Sequence, residues 1–435
     1  MTMTSTPPAL TRRALLTATA GAGTTAALAA CGSGSGAVGP DTPLRIAAVN
    51  HVWSQAIAER LPEFEALSGR RVSMQMLTAD QLGSSYNVKL NASATDIDVM
   101  MLRPLQDQLL FARNGWLADL SDRVTDPAFA WDDVQAAVRE RSTTRGSVYS
   151  VPVVTERPAL YYRKDLVAAP PQTLDDLLEQ ALTLTDRDAG TFGYVGRGQR
   201  AGAVSQWSSF LFSFGGDFTT DDGRSGIGSE QARAAYAYYG RLLHEAGPPG
   251  ATNMSLEQAM PIFAQGKAAF YVDADAIYTN FLDPTISTVM DTVGFAPFPA
   301  GPAGAVPYNV PSWALAVNGF SRLQDEAWTF LQWAAGPERV SEIQSAGIPG
   351  ARTSVWADPA TTAAFPPELA EAMRVNTENG TGHDRPEVIQ VGRARDIVGR
   401  PLVAGILGED VDLAADDADA EFADFLVRDN RQQEF

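Results

Sequence analysis

The sequence predicts a two-lobed α/β protein, each lobe a mixed, mostly parallel sheet flanked by helices, with a crevice between the lobes. Three observations carry this expectation. At 435 residues the chain exceeds what a single core ordinarily supports. Its first part alternates strand, helix and strand, the order that builds parallel α/β sheets. Three later stretches read as crossings from one sheet to another, the clearest being Tyr149–Asp165.

In that stretch Val151–Val154 is β-branched except for Pro152, which suits an edge or connecting strand. Glu156 and Arg157 follow, then Pro158, and Ala159–Tyr162 resumes an apolar strand. A charged, proline-bounded interruption between two strands marks a chain leaving one sheet for another. An edge strand with a solvated Glu–Arg pair is the alternative. Lys267–Ile277, ending in Asp273 and Asp275, reads as a second crossing, and Trp313–Val317 as a third.

The other elements follow from local pattern. Leu44–Val49, Arg71–Leu77 and Ile97–Leu102 read as strands. Between the first two, Trp53, Ile57, Leu61, Phe64 and Leu67 keep a helical period that stops at Gly69. Thr173 and Asp176 form a capping-box pattern, Glu230–His244 is a tyrosine-bearing helix, and Asp325–Ala335 is a helix closed by Gly336-Pro337. The crossings divide the chain into a first lobe, 41–155 with 274–318, and a second, 156–273 with 319–435.

Residues 1–40 contain no acid, and Arg12-Arg13 precede a weakly apolar segment too short and too rich in small residues to span a membrane stably. Leu28-Ala29-Ala30-Cys31 resembles a bacterial lipobox, which implies that 1–31 are a signal and that Cys31 carries lipid. Thr11-Arg12-Arg13 resembles a twin-arginine export signal, a general secretory signal being the alternative. Cys31 is the one cysteine of the chain, where exported domains tend to use cysteine in pairs. Residues 32–40 then form a flexible tether.

A net charge of −19 argues against nucleic acid, and the three histidines, His51, His244 and His383, show no metal-ligand spacing. No nucleophile elbow, phosphate loop or dinucleotide fingerprint is present, so no cofactor and no metal are expected. Paired carboxylates among Glu156, Asp217 and Asp273 leave a carbohydrate-active enzyme as one alternative, and a receptor for an amine or peptide as another. The residues suit a neutral, hydroxyl-rich ligand better. Glu156, Arg197 and Asp273 supply charged groups for hydroxyls, and Trp53, Trp207 and Trp313 supply faces for C–H surfaces.

Five stretches resemble the bacterial extracellular solute-binding proteins of ATP-driven sugar importers, the maltose-binding-protein superfamily: Tyr149–Pro171, Phe214–Asp217, Phe263–Phe270, Val293–Pro302 and Ala327–Glu338. The resemblance implies a non-enzymatic, two-lobed periplasmic-binding-protein-like fold. It also implies a monomer that delivers its ligand to an ABC permease at the outer face of the cytoplasmic membrane. Glu156 with Tyr161–Leu166, Arg197-Gly198, Tyr238–Gly250 and Tyr271–Ala274 resemble the sorbitol/mannitol-binding branch. That likeness implies that Glu156, Arg197 and Asp273 meet ligand hydroxyls. Gln199–Gly202 stand where the branch has an aromatic, which leaves mono- and disaccharides open beside sugar alcohols.

Overall fold

A five-stranded and a four-stranded sheet organise the chain, in a computed structural model that describes Gly39 and residues 41–433. Arg12, Arg13 and Cys31, on which the export and lipidation expectations rest, lie outside the described residues. The strands of the two sheets are β1 (Leu44–Val49), β2 (Val72–Leu77), β3 (Val99–Leu102), β4 (Val151–Glu156), β5 (Pro158–Arg163), β6 (Phe192–Val195), β7 (Ala268–Ala274), β8 (Val293–Ala296) and β9 (Val310–Val317).

The first sheet has the order β2-β1-β3-β9-β4, parallel on its β2-β1-β3 side and antiparallel where β9 meets β3 and β4. The second has the order β8-β5-β7-β6, parallel between β6 and β7 and antiparallel elsewhere. Both sheets are mixed, as expected, but parallel pairing covers only part of each. The reason is the crossings. A strand that arrives from the other lobe runs against its new neighbours.

Two lobe boundaries differ from those expected. The expected crossing to the first lobe at Lys267–Ile277 is not made there: Tyr278 and Phe281 pack in the second-lobe core, and β8, expected in the first lobe with 274–318, pairs with β5 in the second sheet. The helix after β9, Gln324–Ala335, expected in the second lobe, packs on β9, β4 and the helix Val52–Ser68. There Phe330 meets Phe64 edge-on at 5.2 Å and Trp333 meets it at 5.3 Å. A helix buries its apolar stripe on the nearest apolar surface, and on leaving β9 that surface is the first lobe. The chain is back at the second lobe by Pro367–Asn379, which packs on β8 and β5.

The caps form as their residues dictate. His51 Nδ1 accepts the backbone N–H of Trp53, starting Val52–Ser68, and Gly69 ends that helix at φ 68°. Thr173 and Asp176 close their capping box. In the second lobe Tyr161, Tyr271, Phe263, Phe281 and Phe295 pack on one side of the sheet, while Trp207, Phe210, Tyr236 and Tyr239 belong to the core on the other.

Candidate ligand-binding site

β6 and β7 run parallel, with Val195 opposite Tyr271, so their C-terminal ends bring Arg197 beside Asp273. Ligands in open α/β sheets gather at such strand ends. Arg197 Nε and Nη2 donate to Asp273 Oδ2 and Oδ1 at 2.8 and 2.5 Å. The Asp273 side chain is 0% exposed, and it also accepts from Gln206 Nε2 at 2.9 Å, the Tyr271 hydroxyl at 2.6 Å and the Ala274 N–H at 2.7 Å. These donors use up the acceptor capacity of the carboxylate. Asp273 therefore holds Arg197 in place, and Arg197 Nη1 stays outside the pair.

The loop under Arg197 is equally constrained. Tyr239, fully buried, donates its hydroxyl to the Arg197 carbonyl at 2.7 Å. A Cβ on Gly198 would stand 2.3 Å from the Ala251 carbonyl oxygen, so only glycine fits there. Burial acts against the charge of Arg197, and the Asp273 carboxylate more than offsets it, raising its pKa.

The first lobe supplies the opposing wall. Glu156 ends β4 opposite Val310, and its carboxylate lies 3.9 Å from His51 Nε2. Burial pushes Glu156 up to about 7 and His51 down to about 4. His51 Nδ1 is an acceptor in its helix cap, so the neutral ring carries its proton on Nε2, toward Glu156. Trp313 is half-buried, with its ring 6.4 Å from that of His51 and the Arg103 guanidinium 5.7 Å from its centroid. The β9–β4 register shifts on both sides of Trp313, and such a bulge re-aims a side chain. The charges of Arg197 and Asp273 also act on Glu156 across the two walls.

Two expected site residues lie elsewhere. Trp207 is 0% exposed and stacks on Tyr236 at 4.1 Å and 12°, inside the second-lobe core. Consecutive helix residues point about 100° apart, and on this helix Gln206 reaches Asp273 while Trp207 turns inward. Trp53 is 2% exposed at the first turn of its helix, and His51 is the residue that meets Glu156. Glu156, Arg197, Asp273 and Trp313 are the expected residues that the fold gathers.

Sequence reasoning missed His51, Gln206, Tyr271 and Tyr308, whose hydroxyl donates to Gln206 Oε1 at 3.2 Å. Tyr271 alone had a local signal, since residues two apart on a strand share a face. Asp217, a candidate for acid–base chemistry, binds His383 Nε2 at 2.9 Å instead. Among the described residues no His, Cys, Asp and Glu cluster is placed to hold a metal ion, and no helix is long and apolar enough to cross a membrane.

Two α/β lobes with polar and aromatic side chains gathered between them define a solute-binding protein. The family model described as "Bacterial extracellular solute-binding protein" matches residues 50–340, and the chain belongs to that family. It is 28% identical over 271 residues to a mannitol-binding protein of Pseudomonas aeruginosa, across 58% of this chain and 61% of that protein. Against an erythritol/L-threitol-binding protein of Mycolicibacterium smegmatis it is 25% identical over 402 residues, 82% of each chain. The fold also matches a solute-binding protein of Agrobacterium radiobacter K84 solved in complex with ribitol. That match has a TM-score of 0.79 at 24% identity and covers 89% of this chain and 99% of that one. These relatives are binding proteins, not enzymes.

Proposed function

We propose that this chain is the substrate-binding component of an ABC importer and that it captures a sugar alcohol or small sugar by closure of its lobes. The observation that carries the reading is the partly exposed Arg197 paired with the buried Asp273, braced by Gln206 and Tyr271, with Glu156 and Trp313 on the other wall. A guanidinium fixed on a buried carboxylate presents its remaining N–H groups to vicinal hydroxyls at little entropic cost. Each charged hydrogen bond contributes roughly 1.5–3 kcal/mol, and a few suffice for micromolar affinity. The mannitol, erythritol/L-threitol and ribitol named for the relatives favour a polyol. Ligand contacts on both walls would shift the lobes toward the closed arrangement.

Delivery to a permease and anchoring by lipid on Cys31 complete the proposal, with the protein held at the outer face of the cytoplasmic membrane. An enzyme reading is less well supported, because the Asp273 carboxylate is saturated with donors. The test is calorimetric titration with four-, five- and six-carbon sugar alcohols, monosaccharides and disaccharides. Micromolar binding of a polyol supports the reading; binding of disaccharides only would move the ligand class.

A further inference from the structure

A second cluster of charge borders the same site. Arg385 makes a two-pronged pair with Asp384, Nε to Oδ1 at 2.6 Å and Nη2 to Oδ2 at 2.5 Å. Its Nη1 donates across the lobes to Gln106 Oε1 at 3.1 Å, and Arg395 Nη1 donates to that same oxygen at 3.2 Å. One neutral carbonyl oxygen thus serves two cations.

The two arginines differ in compensation. Arg45, Arg157, Arg197 and Arg385 each hold a buried aspartate, namely Asp98, Asp275, Asp273 and Asp384. Arg395 has no such partner among the ion pairs of the described residues, and its Nε is buried without a hydrogen bond. Burial, then the like charges of Arg385, Arg103 and Arg197, push its pKa well below the usual arginine range, with Asp384 pulling the other way. Nearby carboxyls offer little relief, since burial raises both Asp107 and Glu156. Arg395 is half-buried, and a charge so placed without a carboxylate partner is costly, so a protein that retains one holds it for something that binds.

The cluster adjoins the polyol wall: the Gln106 N–H donates to the Arg103 carbonyl at 2.9 Å, and the Arg103 guanidinium lies 5.7 Å from the centre of the Trp313 ring. The charge of Arg197 acts on Arg395, and that of Glu156 acts on Arg385. We propose that the ligand of this cleft is a polyol carrying one carboxylate at the end of its hydroxylated chain, an aldonate-like acid, with the carboxylate held by Arg395. One uncompensated guanidinium calls for a monoanion, and the planar fork of arginine matches a planar carboxylate. This inference rests on the polyol reading of the site and narrows its ligand class.

The test is calorimetry of the full chain with ribitol, ribonate and ribitol 5-phosphate, which share a five-carbon hydroxylated chain. Ribonate is expected to bind at least ~10-fold more tightly than ribitol, as a charged hydrogen-bond pair implies. In Arg395→Gln the ribonate-to-ribitol ratio should fall toward one, and Arg395→Lys should recover part of it. The ratio in the unaltered chain is decisive even where a variant fails to fold. Ribitol binding as tightly as ribonate overturns the carboxylate and leaves the polyol reading standing. Tighter binding of the phosphate overturns the monoanion class. Binding of none of the three overturns both readings.

Discussion

Arg157 and Asp275 form an ion pair in which each side chain is 1% exposed, where the chain passes from one sheet to the other. Arg157 separates β4 from β5, and Asp275 follows β7. Arg157 Nε donates to Asp275 Oδ2 at 2.6 Å, and the backbone closes the link through the Asp275 N–H to the Arg157 carbonyl at 2.7 Å. The guanidinium lies 5.3 Å from the centre of the Trp356 ring. The crossing at Arg157 is thereby fastened to the segment that follows β7. Removing one partner strands a buried charge. Asp275→Ala should cost about 3–5 kcal/mol, read as a fall in the urea midpoint.

Arg197 and Gly198 should control affinity, and Arg197→Ala should also lower stability because it strands the buried Asp273 carboxylate. Arg197→Ala should weaken polyol binding by about 10- to 100-fold, the loss of one or two charged hydrogen bonds. Gly198→Ala should weaken it too, because the new Cβ meets the Ala251 carbonyl oxygen and displaces the loop. Calorimetry beside thermal unfolding separates these effects from loss of structure.

Trp207 and Trp313 should respond oppositely. Trp207→Ala removes a stacked, fully buried ring and should cost about 3–5 kcal/mol of stability. Trp313→Ala, at the half-buried bulge, should chiefly weaken ligand binding. Denaturant unfolding and calorimetry of the two variants make the comparison.

Glu156 and His51 should pull the pH dependence of stability in opposite directions. The native Glu156 carboxyl, at about 7, keeps its proton where the unfolded group, near 4.5, has lost it. Its contribution is therefore lost as pH rises from about 4.5 to about 7. The native His51 ring, at about 4, stays neutral where the unfolded ring, near 6.5, binds a proton, so its contribution grows from pH 4 to 6.5. Each amounts to something on the order of 3 kcal/mol, and in the native chain they largely cancel. Glu156→Gln should leave stability that rises over this window, and His51→Asn stability that falls, in urea melts at a series of pH values.

The sequence by itself determined the two-lobed α/β class, the crossing at Glu156, the capping residues, and the charged residues at the strand ends. Each has a local cause: strand and helix periods, prolines and glycines at turns, and charge at a strand end. Tertiary structure decided what each charge meets. Asp273 lies 76 residues from Arg197 and 67 from Gln206. Whether it touches ligand or braces an arginine depends on pairings that no local pattern encodes. The inward turn of Trp207, the move of β8 into the second sheet and the docking of Gln324–Ala335 on the first lobe have the same origin. A local period tells which residues share a face, whereas the partner that buries that face is chosen by the packing of the whole chain.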